Sequence, residues 1–322
     1  MEPRFSFLGA HRVPCAETPS AGRSLRGQLS RLVALALLVP FSIGWSPVHT
    51  SGPARSSPVD QIVFVSDRDF FAHVYVMDPD GSGETQLTTG DTTDRAPRWS
   101  PDHAHILFQR LGGQECLCIM NTDGSGLRRV PLPPRAHVRQ GFSWSPDGHQ
   151  IVFDAVGPGP GFATSLVIVG SDGSGLHKVI ADGEFNTMPD WSPSGDRIVF
   201  VRGTPNSLWT IKPDGSDLTE LTTTDDYLPR WSPDGSRIVF ERRTYPGSDI
   251  WVMNADGSNP VNLTSSSATY VNDWPAFSRD GSQIIFNRRL VAGSGYDLYT
   301  MAADGSNLRQ LTTDGHSFSP DW

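Results

Sequence analysis

The side chains here that could do chemistry are acids, histidines and cysteines, and each reaction class needs them in a particular arrangement. Nucleophilic hydrolysis on an α/β scaffold would show Gly-x-Ser-x-Gly, and a zinc peptidase His-Glu-x-x-His; neither string occurs. His103 and His105 are the only close histidine pair; with no third ligand near them they read as solvated turn residues. Cys116 and Cys118 sit one residue apart, point the same way on an extended strand, and read as core positions poorly placed to bridge each other. Asp78 to Glu84 resembles the start of a calcium loop, but Thr89 stands where the closing carboxylate belongs. The remaining acids with a possible channel role are Asp94, Asp182, Glu184, Asp225, Asp226, Asp273 and Asp314, beside His316, and they share no register. No catalytic residue, metal site or cofactor is expected.

The elements that carry these residues are legible in the composition. Glycine (32) and proline (26) are plentiful in 322 residues and only 19% are charged, which favours a turn-rich all-β chain. The net charge is -9. Residues 1–50 hold five arginines and two glutamates, so acids dominate the rest, and that surface repels nucleic acid and anionic lipid. The arginine-bearing flank, the apolar run from Leu32 through Phe41 to Trp45, and the small residues after it follow the order of a secretory signal. An uncleaved membrane anchor is the alternative. Residues 1–50 are therefore assigned to a signal or anchor, 51–61 to a linker, and 62–322 to the folded part. The chain is expected to be exported: periplasmic, extracellular, or anchored facing outward.

Internal repetition decides the fold. Trp-Ser-Pro-Asp or a variant recurs at Trp99, Trp144, Trp191 and Trp231, degenerates at Phe277, and ends as Pro320-Asp321-Trp322, at spacings of 40 to 47 residues. Each copy has an apolar strand (Ile62-Val63-Phe64 is the first), a second strand ending in Asp-Gly, a short third strand, and an inner strand holding the Trp. Asp-Gly between two strands is a strong hairpin signal. The expectation is a single six-bladed β-propeller of four-stranded blades. The first set of strands lacks an inner strand and the last inner strand lacks a set, so the C-terminal strand should complete the N-terminal blade and remove the exposed sheet edges.

The residue before each Trp position is, in ring order, Arg98, Ser143, Asp190, Arg230, Ala276 and Asp321. Neighbouring blades thus offer two ion pairs near the axis, Asp190 with Arg230 and Asp321 with Arg98, the second across the closure.

The unit Ile-Val-Phe, Trp-Val-Met-Asn-Ala-Asp-Gly-Ser, Leu-Thr, Pro-x-Trp-Ser-Pro-Asp-Gly resembles the WD40-like (PD40) repeat of the TolB family over residues 62–322. That resemblance implies a propeller and an extracytoplasmic address. TolB itself looks like a propeller with a separate N-terminal α/β domain, which is expected to be absent here, so the resemblance supports its partner only weakly.

The repetitive Trp-Ser-Pro-Asp and Asp-Gly turns fall on one face and read as structural; the opposite face carries the variable loops and is expected to be the working one. It offers Phe70, Phe71, Phe162, Phe185, Tyr227, Tyr245, Tyr270 and Tyr296, aromatics with nearby arginines of the kind that anchor protein interfaces. The expected function is a non-enzymatic, monomeric scaffold binding a protein or peptide of the cell envelope over this face and the channel mouth, without nucleic acid, and touching membrane only through the N-terminal segment if that segment is uncleaved. The alternative is a propeller enzyme, or a protein that holds a small ligand or cation in its channel.

Overall fold

The computed structural model describes residues 60–113, 115–132, 137–156 and 164–322. The signal or anchor, nearly all of the linker and Phe162 lie outside them. The described residues form an all-β propeller without an α-helix. In chain order the strands are β1 (Ile62–Asp69), β2 (Phe71–Met77) and β3 (Thr85–Gln86); β4 (Thr93–Trp99), β5 (His105–Leu111), β6 (Cys116–Asn121) and β7 (Arg128–Arg129); β8 (His137–Trp144), β9 (Gln150–Val156), β10 (Thr164–Gly170) and β11 (His177–Ile180). They continue as β12 (Asn186–Trp191), β13 (Ile198–Arg202), β14 (Ser207–Ile211) and β15 (Thr219–Glu220); β16 (Asp226–Trp231), β17 (Arg237–Thr244), β18 (Gly247–Asn254) and β19 (Val261–Asn262). The last are β20 (Tyr270–Phe277), β21 (Gln283–Leu290), β22 (Asp297–Ala302), β23 (Arg309–Gln310) and β24 (Ser317–Asp321).

Hydrogen bonding groups them into four sheets of four strands and one of eight. The large sheet holds β16–β19 and β20–β23, joined through one parallel pair, Ser248 with Val271. Gly247 permits that approach: a Cβ there would lie 2.1 Å from the Tyr270 carbonyl oxygen. The first sheet runs β24-β1-β2-β3, with Ser66 opposite Ser317 and Val63 opposite Asp321, so the chain's last strand lies beside its first.

The two-residue side-chain period of a strand explains how the seams fill. In Ile106-Leu107-Phe108 the outer two residues pack against Val63, Val74 and Val76 of the preceding sheet, while Leu107 packs with Phe142, Trp144 and Phe153 of the following one. The same division recurs at the closure, where Ile62 and Phe64 meet Ala276, Ile285 and Leu298, with Trp322 packed against them. All six phenylalanines of these triplets are fully buried.

Every inner strand shifts register against its neighbour just before its Trp position. Where proline follows, the preceding residue takes a positive φ: Ala96, Met188, Leu228, Trp274 and Ser319, at 49° to 53°. Proline has no N–H to give a ladder, which suits a bulge facing the axis. In β8 glycine replaces the bulge residue, and a Cβ on Gly141 would meet the Met188 Cα at 2.4 Å.

In the Asp-Gly-Ser turns the aspartate accepts from the serine: Ser82 N and Oγ lie 2.9 and 2.6 Å from Asp80 Oδ1, a hairpin closure that occupies this oxygen. One expectation fails. Cys116 and Cys118 are bridged to each other. Residues two apart share a strand face, and their Cα separation of 5.8 Å lies within disulfide range, so pointing the same way permits the bond.

Candidate binding sites at the two channel mouths

The loop-face mouth rests on a clamp the sequence reading missed. Two residues beyond the buried phenylalanine of β5, β13, β17 and β21 stands an arginine, opposite an Asp or Asn of the inner strand. Arg110 grips Asp94 through two bonds of 2.7 and 2.8 Å, and Arg242 grips Asp226 at 2.7 and 2.9 Å. Arg202 reaches Asn186 at 2.6 Å and Arg288 reaches Asn272 at 2.7 Å. Paired two-point contacts fix the inner strand against its neighbour. The signal was available as a recurring Phe-x-Arg with an acid or amide sixteen residues earlier.

On this frame the predicted aromatics divide. Phe70 is 90% exposed and Tyr245 99%, each at the tip of a hairpin, and Phe71 lies edge-on to Phe70 with ring centres 5.3 Å apart. The others are half-buried and each carries an arginine: Arg243 over Tyr227 at 3.7 Å, Arg288 over Tyr270 at 4.7 Å, Arg289 over Tyr296 at 5.2 Å and Arg139 over Phe185 at 4.6 Å. Cation–π stacking holds such rings in place. Among the described residues, Phe70, Phe71 and Tyr245 are the predicted rings with no arginine over them.

Between the arginine-capped rings lies a buried acid pair. Asp273 accepts from Asn287 at 2.8 Å and from the Tyr296 hydroxyl at 3.2 Å, while Glu241 meets Arg243 Nε at 3.3 Å. Burial, then the neighbouring Asp273, pushes the Glu241 carboxyl up to about 8 from 4.5; burial pushes Asp273 up as well. Because Glu241 binds its proton more tightly folded than unfolded, its contribution to stability is complete below pH 4.5 and is lost as pH rises toward 8. Glu241→Gln is therefore expected to raise the thermal midpoint at pH 8, by the equivalent of about 1–2 kcal/mol, and to leave it unchanged near pH 4. Midpoints measured across that range check the slope.

The opposite mouth is a funnel of about 370 Å³ ringed by Trp99, Trp144, Trp191, Trp231 and Trp322 with the prolines of their turns. The sequence reading treated this face as structural only. At the funnel floor Arg230 Nη1 lies 3.1 Å from Asp190 Oδ1, and its Nη2 bonds Asp321. Arg98 Nη1 is 3.7 Å from Asp321 Oδ1. Each aspartate also latches the next sheet: Asp190 Oδ2 accepts from Trp231 N and Asp321 Oδ2 from Trp99 N, both at 2.9 Å, while Ser143 Oγ accepts from Trp191 N at 3.2 Å. The position before the Trp therefore serves as an acceptor for the neighbouring strand, a role that Asp and Ser share and that charge matching alone overlooks. Burial opposes the Arg230 charge, but Asp190 and Asp321 outweigh it and hold its pKa above the ordinary value. His103 departs from expectation: it is half-buried, stacked on Trp99 with ring centres 5.5 Å apart, and burial lowers its pKa. Past the floor the channel narrows to a space of about 10 Å³ between Arg98, Gly141, Met188, Leu228, Arg230 and Trp274. Among the described residues no group of three or more His, Cys, Asp or Glu is placed to hold a metal ion.

A family model described as the TolB β-propeller domain (PD40) matches residues 41–228. An uncharacterised protein of Agrobacterium fabrum is 28% identical over 176 residues, half of this chain and 54% of its own length. A TolB homologue of Chlorobium luteolum is 29% identical over 151 residues, 46% of this chain and 32% of its own length. The chain thus spans about half or less of the curated relatives it matches. Among solved structures, TolB of Acinetobacter baumannii superposes with a TM-score of 0.70 over 82% of this chain and 66% of that one, at 18% identity, a likeness of fold.

Proposed function

This chain belongs to the PD40 family of TolB β-propellers, and from that premise we propose that it is an exported, non-enzymatic scaffold that binds a protein or peptide of the cell envelope across its loop face. We read its strands as six blades, since each half of the eight-stranded sheet repeats the strand order of the other sheets. The observation that carries the function is the pairing of two fully presented aromatic tips, Phe70 and Tyr245, with a mouth where Phe185, Tyr227, Tyr270 and Tyr296 lie under arginines. Rigid, amphipathic anchors of this kind dominate interface energetics. The pairing of the final strand with β1 keeps the inner edge of that first strand from standing open.

The test is capture from native envelope extract by the full chain and by the Phe70→Ala/Tyr245→Ala variant. Both side chains are exposed, so the variant should keep the wild-type thermal midpoint to within the equivalent of about 0.5 kcal/mol. The wild type is expected to retain a defined set of proteins that the variant loses. Recovery of the same set by both removes the loop face as the binding surface.

A further inference from the structure

We propose that the turn-face funnel, at the mouth opposite the loops, is a binding site for a carboxylate borne on an apolar stem, with Arg98 as its receptor. Two arginines and two aspartates meet at the funnel floor, but the contacts are shared unequally. Arg230 takes Asp190 at 3.1 Å and Asp321 as well. Asp190 and Asp321 each spend a second oxygen on a tryptophan N–H. Arg98 is left with Asp321 at 3.7 Å, its own strand's Pro97 carbonyl at 3.5 Å and the face of Trp274 at 5.6 Å, and its buried Nε has no hydrogen-bond partner. It is only 8% exposed, and it lines both the funnel and the throat below. A buried guanidinium short of acceptors retains most of its desolvation cost. Burial, then the nearby Arg230, brings its pKa down to about 10, while Arg230 moves the other way.

The rest of the lining points to the same chemistry. Arg279 adds a third cation to the lining. A guanidinium is planar, and its paired N–H groups match the two oxygens of a carboxylate. The collar above it is tryptophan and proline, which suits an apolar stem. A free aromatic acid and a polypeptide ending in an aromatic residue both present this chemistry.

The test is calorimetric titration of the intact chain with 3-phenylpropanoate and with acetyl-Gly-Gly-Phe, each beside its uncharged amide. Saturable binding of at least one acid, with its amide weaker by about tenfold or more, is expected. Binding of the free acid alone identifies a small-molecule site; binding of the peptide acid alone identifies a chain terminus. Arg98→Met should weaken the acid by about tenfold or more and keep the wild-type thermal midpoint, and Arg98→Lys should fall between. The Phe70→Ala/Tyr245→Ala variant should bind the acid as the wild type does, which separates this site from the loop face. Equal binding of acid and amide, absence of saturable binding by either acid, or an Arg98→Lys protein that binds like the wild type overturns the proposal.

Discussion

Arg230→Met is expected to lower the thermal midpoint by roughly 10 °C, the equivalent of about 3–5 kcal/mol in a domain of this size. The guanidinium bonds Asp190 and Asp321, which are respectively 8% and 6% exposed. Its removal leaves two buried carboxylates close to the axis with one long contact to Arg98 between them. Each of those carboxylates orders the backbone of a neighbouring sheet, Asp190 through Trp231 and Asp321 through Trp99, so the strain spreads over the ring. Adding Asp190→Asn to the variant should recover part of the loss, because the amide oxygen still accepts from Trp231 N without carrying charge. Arg98→Met, lying at the same level but with a 3.7 Å contact, should cost little. Thermal melts of the three proteins decide the matter. Equal losses at the two arginines would mean that their unequal contacts have no energetic consequence.

Removing residues 317–322 is expected to cost more. The deletion strips β1 of its inner neighbour, removing the pairings of Val63, Val65 and Ser66. It also removes the Ser319 N–H that bonds Asn287 at 2.9 Å, the Asp321 carboxylate that holds Trp99 and Arg230, and the Trp322 ring packed in the seam with Ile62, Phe64 and Ile285. Losing one large packed aromatic costs about 3–5 kcal/mol, and the buried ionic contact a comparable amount. Together these approach the whole stability of a typical domain. The truncated chain should therefore melt without a cooperative transition, and a peptide covering 314–322, added in excess, should restore one. A midpoint unchanged by the deletion would show that β24 contributes nothing to the closure.

Much of the fold was legible because the features that define it are local and repeated. An Ile-Val-Phe triplet sends its side chains alternately to two seams, and a Trp-Ser-Pro-Asp turn announces the inner strand, so six copies reinforce one another. The single parallel contact between Ser248 and Val271 depends on Gly247 meeting a carbonyl in the next repeat, which no local pattern records. The candidate sites were legible only as chemistry. Phe70, Tyr245, Tyr227 and Tyr296 could be placed on the loop face, but which rings stay bare and which lie under an arginine depends on side chains brought together from different strands. The same holds for the axis. Asp190, Arg230, Asp321 and Arg98 could be matched by charge, whereas the double engagement of Arg230 follows from how the inner strands converge at the narrow throat. The bridge between Cys116 and Cys118 runs against the sequence expectation because a shared strand face brings the two side chains together.

The head-to-tail closure is tested most directly by amide hydrogen exchange on the intact chain, read segment by segment. Residues 317–321, paired with β1, should exchange as slowly as the inner strands Asn186–Trp191 and Asp226–Trp231, which lie within continuous sheets. Exchange of that last segment at the rate of an unstructured peptide, while the other inner strands stay protected, would contradict a ring sealed by its final strand.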